Sequence, residues 1–370
     1  MVFSANNFLA GAMNNQAVFF LITALATVLL FGFLIFIHEF GHYLTARLFG
    51  VTVKEFAIGM GPKLFGWVSK KTGIAYRVRA LPIGGFVSME GEDEESGDPN
   101  AFYKKAVLKR LIVTAAGAAM TLLVGSLRAF IYILTSTGRA APVVYKFQED
   151  AASRQWRKEN DVIMKVDGTT VFTGQDAYYE ILRKGVEPID ILVKRDGEKV
   201  LLKDVTFGKQ TEQGVQFGAQ DFYFPREEKN PLTVMKHTAS QMRLSVKMVY
   251  ESLFDLITGR YGLEAVSGPV GVAGEVGGAL KDDLQADPEK GQSSNNLLYL
   301  AMIITVNLGV MNLLPIPALD GGRLFFQFVE LIFRKPIPHK YEGYIHGAGI
   351  VILMALMALV ALKDTIGLFG

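Results

Sequence analysis

Phe36-Ile37-His38-Glu39-Phe40-Gly41-His42 marks the point where a chain with no charged side chain over residues 1–37 first becomes ionisable, and residues 38–42 read H-E-x-x-H. On a helix, residues i and i+4 share a face about 6 Å apart along the axis, so His38 and His42 can grip one metal ion. Glu39 then stands beside the ion rather than on it. In zinc hydrolases of this pattern a third protein ligand is needed, and the pKa of water at the open position falls to about 7. A neighbouring carboxylate takes that proton and later passes it to the leaving amine. Ionisable groups at membrane depth are expensive and default to a functional reading, against which stands only a capped interfacial His pair.

Working outward, the composition sets the class. Of 370 residues, 50% are hydrophobic and 20% charged, with a positive mean hydropathy, which describes a membrane protein with room for one modest soluble domain. A net charge of +2 argues against nucleic acid as a partner. With no cysteine there is neither a disulfide framework nor a thiolate site, so zinc must use His and carboxylate ligands; two of the five histidines are in the motif. No basic region precedes the first apolar run and no small-x-small site follows it, which predicts a retained span and not a cleaved signal.

The apolar run Ala17 to Ile37 is long enough to cross a bilayer, giving a first transmembrane segment over 1–50 that carries the motif at its end. Residues 51–103 are too polar for a span. Ile74 to Val78 and Phe86 to Met89 read as strands around the turn residues Gly84-Gly85, a membrane-associated hairpin whose edge suits an extended peptide. Glu92 to Pro99 is an acidic connector. A second span is expected over 104–138, with Arg128 snorkelling from it. Basic residues crowd 47–110, so the positive-inside rule places that side in the cytoplasm and the amino terminus outside. Short strands and one helix over 141–208 form a small soluble domain.

Residues 209–294 read as a linker with an amphipathic helix from Pro231 to Arg260, its apolar seam running through Leu232, Met235, Ala239, Met242, Val246, Val249, Leu253 and Leu256. A membrane-surface helix is the reading adopted, with packing on the small domain the alternative and coiled-coil pairing a weaker third. A third span over 295–323 contains Asn307 and Asn312, and its end is broken by Pro315 and Pro317. Asp320 follows, level with His38 and His42 by alternation of spans, and is the best third ligand available. A cytoplasmic loop over 324–344 and a fourth span over 345–370 complete a multi-pass α-helical fold, with both termini outside.

These residues carry a resemblance. Phe36 to His42 together with Asn312-Leu313-Leu314-Pro315-Ile316-Pro317-Ala318-Leu319-Asp320-Gly321 resembles the paired signatures of the site-2 proteases, in their bacterial branch, over nearly the whole chain. The resemblance implies zinc held by His38, His42 and Asp320, with Glu39 activating water. It implies substrate contacts at Asn307, Asn312 and the hairpin residues Gly84, Gly85 and Phe86, and a single PDZ-like domain over 141–208. It further implies proteolysis in the bacterial cell membrane, near the cytoplasmic face, of single-span membrane proteins such as an anti-sigma factor or a remnant signal peptide. The PDZ-like domain would filter by size or read peptide tails outside. One stretch departs: where the family has Ala-Gly-Pro-x-x-Asn, this chain has Ala116-Gly117-Ala118-Ala119-Met120-Thr121. That departure supports the competing reading, a catalytically impaired adaptor that recruits partners through the PDZ-like domain. Retention of Glu39 argues against it, because a structural zinc site needs no base. A zinc transporter is a poorer third, since one His pair makes no path across a bilayer.

Overall fold

The structure is a computed structural model that describes residues 15–92, 94, 96–136, 139–212, 215–260, 262, 266–286, 295–335 and 337–369. Residues 1–14 of the expected first segment, Asp93 and Glu95 of the acidic connector, and 287–294 of the expected linker lie outside the described residues. In chain order the helices are α1 Gln16–Leu48, α2 Val107–Thr135, α3 Gly174–Lys184, α4 Pro231–Ile257, α5 Pro269–Gln285, α6 Asn296–Met311, α7 Asp320–Phe333 and α8 His339–Phe369. The chain divides into two compact units, one formed by the residues up to Arg128 and from Val266 onward, the other by Ala129–Ala265.

In the first unit α1 begins where the Asn15 side chain accepts the N–H groups of Ala17 and Val18, and it runs for 33 residues. That is about 50 Å, longer than a hydrocarbon core of about 30 Å. His38 lies about 33 Å from the start of the helix, a distance close to that thickness. Phe20, Leu21, Leu25 and Leu29 are exposed, whereas Thr27, Glu39 and His42 are buried. Lipid selects this inversion of the water-soluble pattern.

Among the described residues three helices are long and apolar enough to cross a membrane: α1, α2 and the Tyr341–Ile366 part of α8. The expected third span is α6, whose 16 residues reach only about 24 Å before the two prolines break it. Part of the stretch expected as a loop over 324–344 is helical. Residues 320–333 form α7, with Leu324 and Gln327 buried and Phe325, Phe328 and Ile332 exposed, and Arg334 ends it in the left-handed conformation. Arg128 does not snorkel, because α6 supplies partners at hand: its guanidinium donates to the Ala301 carbonyl at 3.0 Å and to Thr305 Oγ1 at 2.5 Å.

Strands β1 Val53–Val68 and β2 Ala75–Met89 are longer than the predicted hairpin and bend at Gly59, Gly61 and Gly84, all at positive φ. Because of the bends, Phe56 to Ile58 pair on one side with Gly85 to Val87 and on the other with Tyr76 to Val78. Residues 75–79 pair again with Lys63 to Val68, so two strands make a sheet four segments wide. Phe56, Val87 and Met89 share a core with Ala46, Phe102 and Val113, which fixes this sheet to the ends of α1 and α2. Leu64, Phe65, Trp67 and Val68 at the tip stay exposed.

The second unit adds β3 Arg139–Ala140, β4 Lys146–Phe147, β5 Val162–Val166, β6 Thr169–Thr170, β7 Ile189–Arg195, β8 Glu198–Val205, β9 Gly208–Glu212, β10 Val215–Ala219, β11 Phe222–Tyr223 and β12 Arg226–Glu227. Strands β6-β5-β7-β8 form its antiparallel sheet, and Ile163, Ile181, Ile191, Val193 and Phe222 share its core. Strands β9 to β12 thus lie in the stretch expected as linker, beyond the expected boundary at 208, and β11 and β12 close the unit by pairing with β4 and β3. Helix α4 belongs to this unit and turns its polar face inward. Arg183 on α3 pairs with Glu251 at 2.8 Å and Asp255 at 2.7 Å, and Asp176 accepts from Ser240 at 2.7 Å and pairs with Arg243 at 2.8 Å. Leu232, Met235, Phe254 and Ile257 remain exposed, so packing on the small unit and an outward apolar face occur together. Helix α5 has no counterpart in the sequence reading; Pro269 opens it, and Asp364 of α8 caps it by accepting the Gly268 and Gly271 N–H groups at 2.8 and 2.9 Å.

Candidate metal centre

Helical spacing puts the two motif imidazoles together on the last turns of α1, with Nε2 atoms 3.3 Å apart. Asp320, 278 residues beyond His42, brings its Oδ2 to 3.1 Å from each of them. A tetrahedral zinc ion bonded at about 2.0–2.1 Å separates its ligand atoms by about 3.3 Å, so this triangle matches one face of such a site. Two imidazole nitrogens and a carboxylate oxygen are also donors that zinc accepts. The residues present therefore fit the ion.

The protons are placed to suit. The Val113 carbonyl can only accept, so His42 Nδ1, 2.8 Å away, carries the hydrogen and leaves Nε2 as a lone pair. On the other ring, His38 Nδ1 lies 3.3 Å from Thr121 Oγ1. Small residues let α2 come this close. A Cβ on Gly41 would strike the Ala116 carbonyl, and a Cβ on Gly117 would overlap the His42 ring at its ligating nitrogen.

Asp320 owes its position to the broken end of α6. The chain turns through Pro315 and Pro317, Ala318 sits at φ +81, and α7 begins at Asp320, where a helix N-terminus favours an anion. Two hydrogen bonds and one bare glycine shape the turn. The Gly321 N–H donates to Asn312 O at 2.7 Å, the Ala318 N–H donates to His346 Nδ1 at 3.1 Å, and a side chain on Gly321 would run into the Leu313–Leu314 backbone.

In front of the triangle is a cavity of about 280 Å³. Glu39 lines it, as do Gly85, Phe86, Val87 and Met89 from β2, Thr114 and Arg323 from helices α2 and α7, and Leu319 just before α7. Gly85 is bare for a reason: a Cβ there would stand 2.9 Å from the Glu39 Cγ and 2.8 Å from the Ala57 carbonyl. Arg323 forms an ion pair with Glu92 in the same wall. Of the other residues singled out from sequence, Gly84 shapes the bend of β2 outside the cavity lining. Asn307 is exposed on α6, and Asn312 caps that helix; neither lines the cavity. Sequence reasoning missed Val113, Gly117, Thr121, Arg323 and His346, although the departure at 116–121 was a signal toward two of them.

A His-His-Asp centre at the end of an apolar helix, with a buried carboxylate and a strand edge on the same cavity, defines a membrane metallopeptidase. The family model for peptidase family M50 matches residues 26–356, and the chain belongs to that family, the site-2 protease type. The chain is 36% identical over 341 residues to a candidate zinc metalloprotease of Clostridium perfringens, covering 92% of this chain and 97% of the relative. It is 27% identical over 433 residues to the regulator of sigma-W protease RasP of Bacillus subtilis, covering 95% and 100%. It is 29% identical over 419 residues to the zinc metalloprotease RasP of Geobacillus kaustophilus, covering 91% and 96%. This chain is thus a bacterial membrane metalloprotease that uses zinc.

Proposed function

We propose that the chain hydrolyses a peptide bond within or beside the transmembrane segment of single-span membrane proteins, near the cytoplasmic face. The observation that carries this reading is the segment Gly85 to Met89: among the described residues it pairs only with Val53 to Ile58, and its other edge borders the cavity that holds His38, His42, Asp320 and Glu39. A peptide bond inside a helix is protected by its own hydrogen bonds, so the substrate must unwind. A strand edge offers the freed N–H and C=O groups new partners where lipid offers none.

When bound, zinc acts as a Lewis acid toward the scissile carbonyl and acidifies the attacking water. Glu39 takes the water's proton and returns it to the leaving amine. Gly85 and Phe86 seat the substrate backbone, and Asn307 and Asn312 are assigned to the unwound segment as it reaches the end of α6. The exposed Leu64, Phe65, Trp67 and Val68 suit a sheet tip set in lipid. The second unit reads or filters substrates on the extracytoplasmic side as a PDZ-like domain, and the RasP name, regulator of sigma-W, makes an anti-sigma factor a suitable substrate class. The adaptor reading drew only on Ala116 to Thr121, and that stretch faces both motif imidazoles.

The test uses purified protein in liposomes with single-span substrates and mass spectrometry of the products. Cleavage is expected within or next to the spanning segment, to stop with a zinc chelator and to return with zinc. Cuts confined to soluble loops far from the span, or no cleavage across several unrelated substrates, overturn the reading.

A further inference from the structure

We infer that Thr121 is a positioning residue that sets the tautomer and ring orientation of His38, so that one stripe of α2, Val113-Gly117-Thr121, serves as the outer shell of the metal centre. The inference rests on the zinc centre described above and adds a residue to it.

Thr121 is fully buried. Its hydroxyl donates to the Gly117 carbonyl at 2.9 Å, and a hydroxyl has one proton to give. Toward His38 Nδ1, at 3.3 Å, the same oxygen can then only accept. The His38 hydrogen is thereby drawn to Nδ1, and Nε2 turns its lone pair toward the point shared with His42 Nε2 and Asp320 Oδ2. Val113 does the same for His42 through a backbone carbonyl. Residues 113, 117 and 121 lie four apart and share a helix face, so two acceptors flank the bare Gly117 against which the His42 ring rests. Metal-ligating imidazoles depend on such partners, and loss of one costs about 10–100-fold in metal affinity or activity.

A Thr hydroxyl bonded back to the i−4 carbonyl is common in helices, so the test must separate a helix bond from a metal role. Zinc affinity of the purified full chain in detergent is measured by competition with a chelator for the parent, Thr121→Val, Thr121→Ala and Thr121→Ser. The hydroxyl-free variants are expected to lose about 10–100-fold in zinc affinity, while Thr121→Ser stays close to the parent. Thermal unfolding of the zinc-free forms checks the fold, and Thr121→Ala covers a failure of the valine variant to fold. Parent-like zinc affinity in either hydroxyl-free variant overturns the assignment. Absence of zinc binding by the parent would instead overturn the metal-centre reading itself.

Discussion

Glu39→Gln is expected to lower substrate cleavage by about 10²–10⁴-fold, the range general acid–base catalysis supplies, while zinc content stays at the parent level. Glutamine keeps the shape of the side chain, which matters because Glu39 is buried and its Cγ stands where a Cβ on Gly85 would come within 2.9 Å. The ligand atoms belong to His38, His42 and Asp320, so the substitution touches none of them. What disappears is the group that accepts the water's proton, so the loss falls on kcat more than on KM. Parallel measurements of cleavage and bound zinc check it. A Glu39→Gln protein that cuts at the parent rate removes the general base from the mechanism, and one that loses zinc makes Glu39 a support of the metal rather than a base.

Gly117→Ala is the other large effect. The new methyl group would overlap the His42 ring at Nε2, the nitrogen that faces Asp320, while Nδ1 is tied to the Val113 carbonyl. Either His42 rotates off the metal or α2 moves away from α1; both open the ligand triangle. Most of the bound zinc and nearly all activity are expected to be lost, although alanine is the better helix former by about 1 kcal/mol. Gly347→Ala on α8, where nothing lies within 4 Å of the added Cβ, is the matched control and should keep zinc and activity. Zinc analysis of both variants after chelator challenge decides. Full zinc retention in Gly117→Ala would mean that α2 does not press on the ligand.

The metal centre was largely legible in the sequence because its chemistry is local. His38 and His42 are one helical turn apart, and Asp320 is marked by two prolines and by its place at the end of an apolar run. The outer partners were not legible, since Val113 acts through a backbone carbonyl that no side-chain pattern reveals. Thr121 read as a departure and instead faces His38 at hydrogen-bond distance. Membrane segments followed hydropathy where a helix runs straight. At α6 hydropathy marks an apolar helix of only 16 residues, which ends before Pro315 and Pro317 as those prolines imply. Helix α4 shows a different limit: its apolar seam was clear, but Leu232 and Met235 of that seam are exposed while Val249 is buried, and ion pairs to α3 that arise only once the chain has folded hold its inner side. Asn307 was singled out by motif alone, and the structure leaves it exposed, outside the cavity lining.

A carboxylate from the far end of the chain stands 3.1 Å from both imidazoles of the H-E-x-x-H helix, placed to complete their zinc site. The most direct measurement is the zinc content of the purified parent and of Asp320→Ala across a chelator series. One zinc per chain is expected in the parent, with the variant releasing its metal at chelator concentrations that leave the parent loaded. Equal retention by the two proteins would contradict the account, because His38 and His42 would then be holding the ion without Asp320.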